Sequence, residues 1–517
     1  MSFLFIAACL LTASPQDLLL VEHDIRDLSG SQLIEEVEVL YISTDWFLAR
    51  GSGDLANGSS LALLETGPVD LNDYRLVHLR VSDDRESAEA VGEVLFCCDK
   101  VALVKPLSEP SFMSYPGVHF VQPLRVYSRS ALQPFRPAAL SNPAVTEIVA
   151  AVNEDSLKAT IQTLEDYQTR LCVMPQYYNA CVWMNDRFAS YGITTEIVPF
   201  DFTFYGNPYT SYNVVAEKPG LINPELIVII CGHLDSVASG NPQETAPGAD
   251  DNASGSATVL EAARILSQYN FRCTVRFICF GAEELGLIGS EIYAAEAAAN
   301  GDSIIAVMNL DMILFAPDSI RKLFVPYNTN STDLAINMDA ISEMYVPELD
   351  VNIQYSPGTT YSDHASFWQE GFPALLGIEE GVDDNPFYHM NTDLLANYQE
   401  FFPFGTECAK ASIATVAVYA DPLTEGIEGD ETGDSFAIAS AGPVPAAAIL
   451  TVQLESMSGP AELALFDITG RQAAALSLQS GSDGIAVLDV SSLPAGVYGL
   501  RATSGSMSDA RMVVIAR

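Results

Sequence analysis

From residue 139 to residue 421, short apolar runs alternate with stretches of helical periodicity. Residues 226–231, 274–280 and 304–310 read as buried strands, residues 254–269 as a helix between the first two, and residues 147–171 as further helix. Strands separated by helices pair in parallel, because a crossover long enough to hold a helix brings the chain back in the same direction. The expected fold class is α/β, with a mixed, mostly parallel sheet flanked by helices. The carboxyl ends of such strands open onto a common crevice where ligands bind.

The flanks have a different texture. Residues 16–138 read as strands and turns, a β-rich N-terminal accessory or pro-domain. Within it Glu38-Val39-Leu40-Tyr41 and Glu93-Val94-Leu95-Phe96, 55 residues apart, each open a hairpin-like pair of apolar runs, which suggests a duplicated β unit. His23, His78 and His119 are isolated there, and no catalytic constellation is visible. An acidic, Gly-rich linker at 422–436 leads into residues 437–517, whose short alternating strands fit a β-sandwich. Leu465-Phe466-Asp467-Ile468-Thr469-Gly470-Arg471 and Leu493-Pro494-Ala495-Gly496-Val497-Tyr498 resemble the C-terminal sorting domains of the bacterial type 9 secretion system. That resemblance implies contact with secretion machinery.

Composition narrows the partners. A chain of 517 residues exceeds one ordinary core. Its 24 Lys plus Arg against 67 Asp plus Glu give a net charge of -43, a surface that repels phosphate backbones, so nucleic acid is not expected. No run reaches the ~18–20 apolar residues of a membrane helix. The apolar residues 3–13, followed by Ser14-Pro15, have the length of a secretory h-region, although no basic residue precedes them. Residues 1–15 are expected to be a signal peptide, and the protein to be secreted or at the cell surface. Cys172 and Cys181 are polar-flanked and nine apart, and a disulfide between them is one expectation. No CxxC pair offers a thiolate zinc site.

Four strings fall at the ends of these elements: Cys231-Gly232-His233-Leu234-Asp235, Gly248-Ala249-Asp250-Asp251-Asn252-Ala253-Ser254-Gly255, Gly281-Ala282-Glu283-Glu284-Leu285-Gly286 and Asn309-Leu310-Asp311-Met312. Each alone has a plain reading; the second is a good helix N-cap, and a Glu pair is commonly a solvated face. Together they bring an imidazole and several carboxylates to one crevice, the donor types of a catalytic zinc site. Asp235 stands where its carboxylate can accept the second N–H of His233 and fix the tautomer. Only six His exist, and His364 and His389 are the late candidates for a further ligand.

The strings and their order resemble the di-zinc aminopeptidase family that also includes glutamate carboxypeptidases and glutaminyl cyclases. The resemblance covers about residues 140–420 and implies a zinc-exopeptidase fold and two Zn2+ ions. It implies that His233 and Asp311 bind one ion, Glu284 and His389 the other, and that Asp251 rather than Asp250 bridges them, with a cis peptide after Asp251. Glu283 would be the general base, Asp235 the orienter of His233, and His364 a peripheral group. The expected function is an aminopeptidase acting on peptides, as a monomer. A carboxypeptidase or glutaminyl cyclase of the same family, and a non-catalytic zinc-stabilised surface protein, are the alternatives. A Gly-x-Ser-x-Gly elbow and a His-Glu-x-x-His helix are both absent.

Overall fold

The computed structural model describes residues 139–423 apart from 205 and 318–320. On either side it describes the strands, one helix and some connections within 17–137 and 437–515. The leader at 1–15 and most of the linker at 422–436 lie outside the described residues. The chain folds as two compact units, residues 1–136 with 143–423, and residues 137–142 with 424–517.

The first unit begins with two four-stranded antiparallel sheets. One holds β1 (Asp17–Glu22), β2 (Val37–Ile42), β3 (Trp46–Gly51) and β4 (Ser60–Glu65) in the order β2-β3-β1-β4. The other holds β5 (Arg75–Leu79), β6 (Gly92–Cys98), β7 (Val101–Pro106) and β8 (Val118–Pro123) in the order β6-β7-β5-β8, which is the same topology. The β2–β3 pairing shifts register between Val39 and Tyr41, and the β6–β7 pairing between Val94 and Phe96, so even the bulge repeats. One helix, α1 (Arg85–Val91), interrupts the expected pattern of strands and turns; Asp84 caps it by accepting the Ser87 N–H.

The central sheet has eight strands: β9 (Thr194–Phe204), β10 (Asn207–Lys218), β11 (Asn223–His233), β12 (Cys273–Phe280), β13 (Ser303–Leu310), β14 (Leu323–Tyr327), β15 (Val351–Tyr355) and β16 (Ala374–Glu379). Their order is β15-β14-β16-β13-β11-β12-β10-β9. β11 pairs in parallel with β12 and β13, and β13 with β16, while β10 on β12, β9 on β10 and β14 on β16 are antiparallel. The sheet is therefore mixed, with a parallel centre. Residues 227–231 are buried without alternation, as a strand covered on both faces must be.

The helical stretch at 147–171 is two helices, α2 (Pro143–Ala150) and α3 (Glu154–Glu165). Asn153 makes the break: in extended conformation its side chain accepts the Ser156 N–H and starts a new helix. Next comes α4 (Pro175–Ser190), then α5 (Ala253–Leu266), which is buried at nearly every position. The expected Cys172–Cys181 disulfide does not form; both thiols are free and buried. Their packing accounts for this: Cys181 shares a hydrogen bond with Tyr177 one turn earlier on α4, and burial pushes both thiols up from their ordinary pKa.

The second unit packs two antiparallel sheets. One is formed by residues 437–442, 449–455 and 485–489, the other by 461–466, 472–478, 496–504 and 507–515. Leu450, Val452, Leu463, Leu465, Leu488 and Leu500 fill the core between them. Among the described residues, no helix is long and apolar enough to cross a membrane.

Candidate metal centre

Three parallel strands end at one place. His233 is the last residue of β11, Asp311 follows β13 directly, and Glu283 and Glu284 follow β12 after a two-residue turn. Asn252, whose peptide bond with Asp251 is cis, accepts the Gly255 N–H as the cap of α5 and donates from Nδ2 to the Leu310 carbonyl at 2.8 Å. The strand that delivers Asp311 is thereby tied to the loop that delivers Asp251. A Cβ on Gly255 would sit 2.3 Å from that same carbonyl, so only glycine admits this approach. Ala282, Met312 and His389 hold φ of 57°, 52° and 55°, so left-handed backbone clusters where the side chains converge.

The side chains form two groups that share Asp251. His233, Asp251 and Asp311 are one, Asp251, Glu284 and His389 the other, with the donor atoms of each within 4.8 Å of one another. His233 Nε2 lies 3.3 Å from Asp251 Oδ1 and 3.2 Å from Asp311 Oδ1. His389 Nε2 lies 3.2 Å from Asp251 Oδ2 and 3.0 Å from Glu284 Oε2. The two oxygens of Asp251 thus face different imidazoles. Glu283 Oε2 stands 3.8 Å from His233 Nε2 and belongs to neither group.

Charge is badly balanced in this pocket. Asp251, Glu283, Glu284 and Asp311 face two imidazoles, so even two imidazolium ions leave a buried net negative charge. Burial lowers the His389 pKa, but Glu284 and Asp251 raise it, to about 10. His233 is likewise raised, by Glu283 and Asp311, against the pull of burial. Glu283 is pushed well above the carboxylate range, first by burial, with His233 opposing and Asp311 and Glu284 adding. Divalent cations would remove this imbalance, and N and O donors without thiolate suit zinc.

Residues 213–401 match the sequence profile described as Peptidase family M28, and residues 442–516 match the Secretion system C-terminal sorting domain. Over that segment the chain is similar to peptidase family M28. It is a metallopeptidase, and the sorting domain marks it as secreted or on the cell surface. A probable leucine aminopeptidase of Trichophyton verrucosum is 27% identical over 281 residues, 52% of this chain and 71% of the relative. One from Arthroderma benhamiae is 29% identical over the same shares. A solved aminopeptidase from Aneurinibacillus sp. strain AM-1 is 22% identical, covers 56% of this chain and 98% of its own, and has a TM-score of 0.45.

Around this centre the supporting groups differ in part from expectation. His233 Nδ1 meets the backbone carbonyl of Asp235 at 3.1 Å, while the Asp235 carboxylate is 3.7 Å away. That carboxylate instead accepts the Glu283 N–H at 3.2 Å, which ties it to the loop after β12. Burial pushes its pKa up to about 8. His364 lies outside both groups; it shares a hydrogen bond with the Thr359 carbonyl and packs edge-on against Trp368. Asp250 turns away from the site, accepting the Leu314 N–H and the Asn385 Nδ2.

Two buried residues given no role in the sequence reading also support the site. Arg170, fully buried, donates to the carbonyls of Leu164, Leu234, Pro247 and Gly248, and so fixes both loops that carry His233 and Asp251. Asp393 accepts the backbone N–H of Asp250 and of Asp251. An Arg beside Leu171-Cys172 in so acidic a chain was the available sign of the first. His78, isolated in the sequence, is buried against Tyr361, with ring centroids 5.8 Å apart.

Proposed function

We propose that the chain is a secreted di-zinc aminopeptidase that releases N-terminal residues from peptides. The observation that carries this reading is the pair of donor groups sharing Asp251, with Glu283 beside them and outside both. His233 and Asp311 would hold one ion, Glu284 and His389 the other, and Asp251 both. Zinc when bound supplies Lewis acidity, polarising the scissile carbonyl and acidifying water. Glu283 takes the proton of the attacking water and returns it to the leaving amine. Asp235 positions both partners, His233 through its carbonyl and Glu283 through its carboxylate.

The cavity over these groups combines the carboxylates with an apolar wall of Met312, Ile378, Tyr361 and Tyr388. Such a lining suits a free α-ammonium group and an apolar side chain. The relatives named leucine aminopeptidases agree with that choice. We read residues 1–15 as a leader, 16–138 as an accessory domain, 139–421 as the catalytic domain and 437–517 as the sorting domain. A monomer suffices, since one chain supplies every donor.

Amino-acid p-nitroanilides assayed beside their N-acetylated forms test the activity. Turnover restricted to the free-amine set is expected; equal turnover of blocked substrates, or none of either, contradicts it.

A further inference from the structure

Arg80 follows β5 of the N-terminal sheets, yet its guanidinium lies over the ring of Tyr388, with Cζ 4.7 Å from the centroid. Tyr388 is buried, lines the cavity, and stacks on the imidazole of His389 at 4.1 Å. Three contacts hold β5 and its neighbours against this wall. The Tyr41 hydroxyl donates to the Gly358 carbonyl at 2.8 Å, His78 packs on Tyr361, and Lys100 pairs with Asp383 at 2.5 Å. The N-terminal sheets therefore supply part of the rim of the cleft.

Arg80 differs from several arginines of this acidic chain. Arg85, Arg264, Arg272, Arg276 and Arg321 each hold a carboxylate. Among the described residues no carboxylate pairs with Arg80, and its Nε is buried without a hydrogen-bond partner. A buried guanidinium donor left unpaired is costly, and its planar fork matches a carboxylate. The cavity that Tyr388 lines is also lined by Asp251, Glu283, Glu284 and Asp311, which suit an ammonium group. A guanidinium over Tyr388 and carboxylates within the cavity complement a short zwitterion.

We propose that Arg80 binds a carboxylate of the substrate just beyond the scissile bond, which gives the enzyme a preference for dipeptides or for peptides with an acidic second residue. The proposal rests on the aminopeptidase reading. Both sources present the same chemistry.

Two substrate pairs separate them: leucyl-glycine against leucyl-glycinamide, and leucyl-glutamyl-glycinamide against leucyl-glutaminyl-glycinamide. At least one pair should show a kcat/KM ratio of about tenfold or more in the natural protein, carried by KM. The first pair reports a terminal carboxylate, the second a side-chain one. Arg80→Ala should bring that ratio close to one and Arg80→Lys should leave an intermediate value. Each ratio is taken on one preparation, so a loss of folded enzyme cancels. Ratios near one in the natural protein, or a ratio unchanged in Arg80→Ala, overturn the proposal. If Arg80→Ala has no turnover, the natural protein and Arg80→Lys decide. Failure to cleave all four substrates overturns the aminopeptidase reading itself.

Discussion

Asp393 holds Asp251 in place: its Oδ2 accepts the Asp251 backbone N–H at 3.1 Å, while Oδ1 accepts that of Asp250 at 2.9 Å. Asp393 lies four residues after His389, so one carboxylate joins the loops that present two donors of the same group. Asp393→Ala would strand two buried N–H groups, each at a cost of about 1–3 kcal/mol. Zinc affinity should fall roughly 10–100-fold, as when other groups supporting a metal ligand are lost. Competition with a chelating dye measures this, and unchanged affinity would remove Asp393 from the support of the site.

Arg170 tests the same scaffold from the opposite side. Arg170→Met keeps much of the volume but leaves the carbonyls of Leu164, Leu234, Pro247 and Gly248 without their donor. The expected loss of stability in urea is at least about 3 kcal/mol, in the range for a broken buried charge network. A loss below about 1 kcal/mol would mean that water replaces the guanidinium.

Metal removal should destabilise the folded chain, since four carboxylates then face each other with only two imidazoles among them. Zinc at about 1,000 times its Kd adds about 4 kcal/mol by mass action. The melting temperature should drop on chelation and return on adding zinc. No shift would show that the donors are not a metal site.

Acid stability should follow two buried imidazoles. Burial lowers the pKa of His78 to about 3 and of His364 to about 4, while unfolded His titrates near 6.5. The folded values lie below the unfolded one, so the neutral rings favour folding and the unfolded chain takes up the extra protons. Their contribution is intact above about pH 6.5 and declines as pH falls toward 4 and 3, by about 1.4 kcal/mol per pH unit for each ring. In chelator-treated protein, His78→Phe with His364→Phe should flatten the stability slope between pH 4 and 6 by about two protons. An unchanged slope would contradict the assignment.

The parts of the fold legible in the sequence were those with local signals. Consecutive apolar residues marked β11, β12 and β13, and the strings at their ends marked where the donors lie. The duplicated β unit was visible in the repeat at Glu38 and Glu93, which the matching strand orders explain. The break at Asn153 had its cap signal, but the apolar periodicity runs across it. Arg170 carried no motif, because its four carbonyl partners meet it only in the folded chain. His78 and Tyr361 are 283 residues apart in number, and nothing local joins them. The nine-residue spacing of Cys172 and Cys181 permits a disulfide, but it says nothing of the helix start at Pro175 between them.

Glu283→Gln tests the central claim most directly, with zinc per chain and turnover of leucine p-nitroanilide measured on the same preparation. Zinc should remain near two per chain, because Glu283 stands outside both donor groups, while turnover falls at least about 10²–10⁴-fold through loss of the base. Turnover within about tenfold of the natural protein, or loss of zinc with the substitution, would contradict the account.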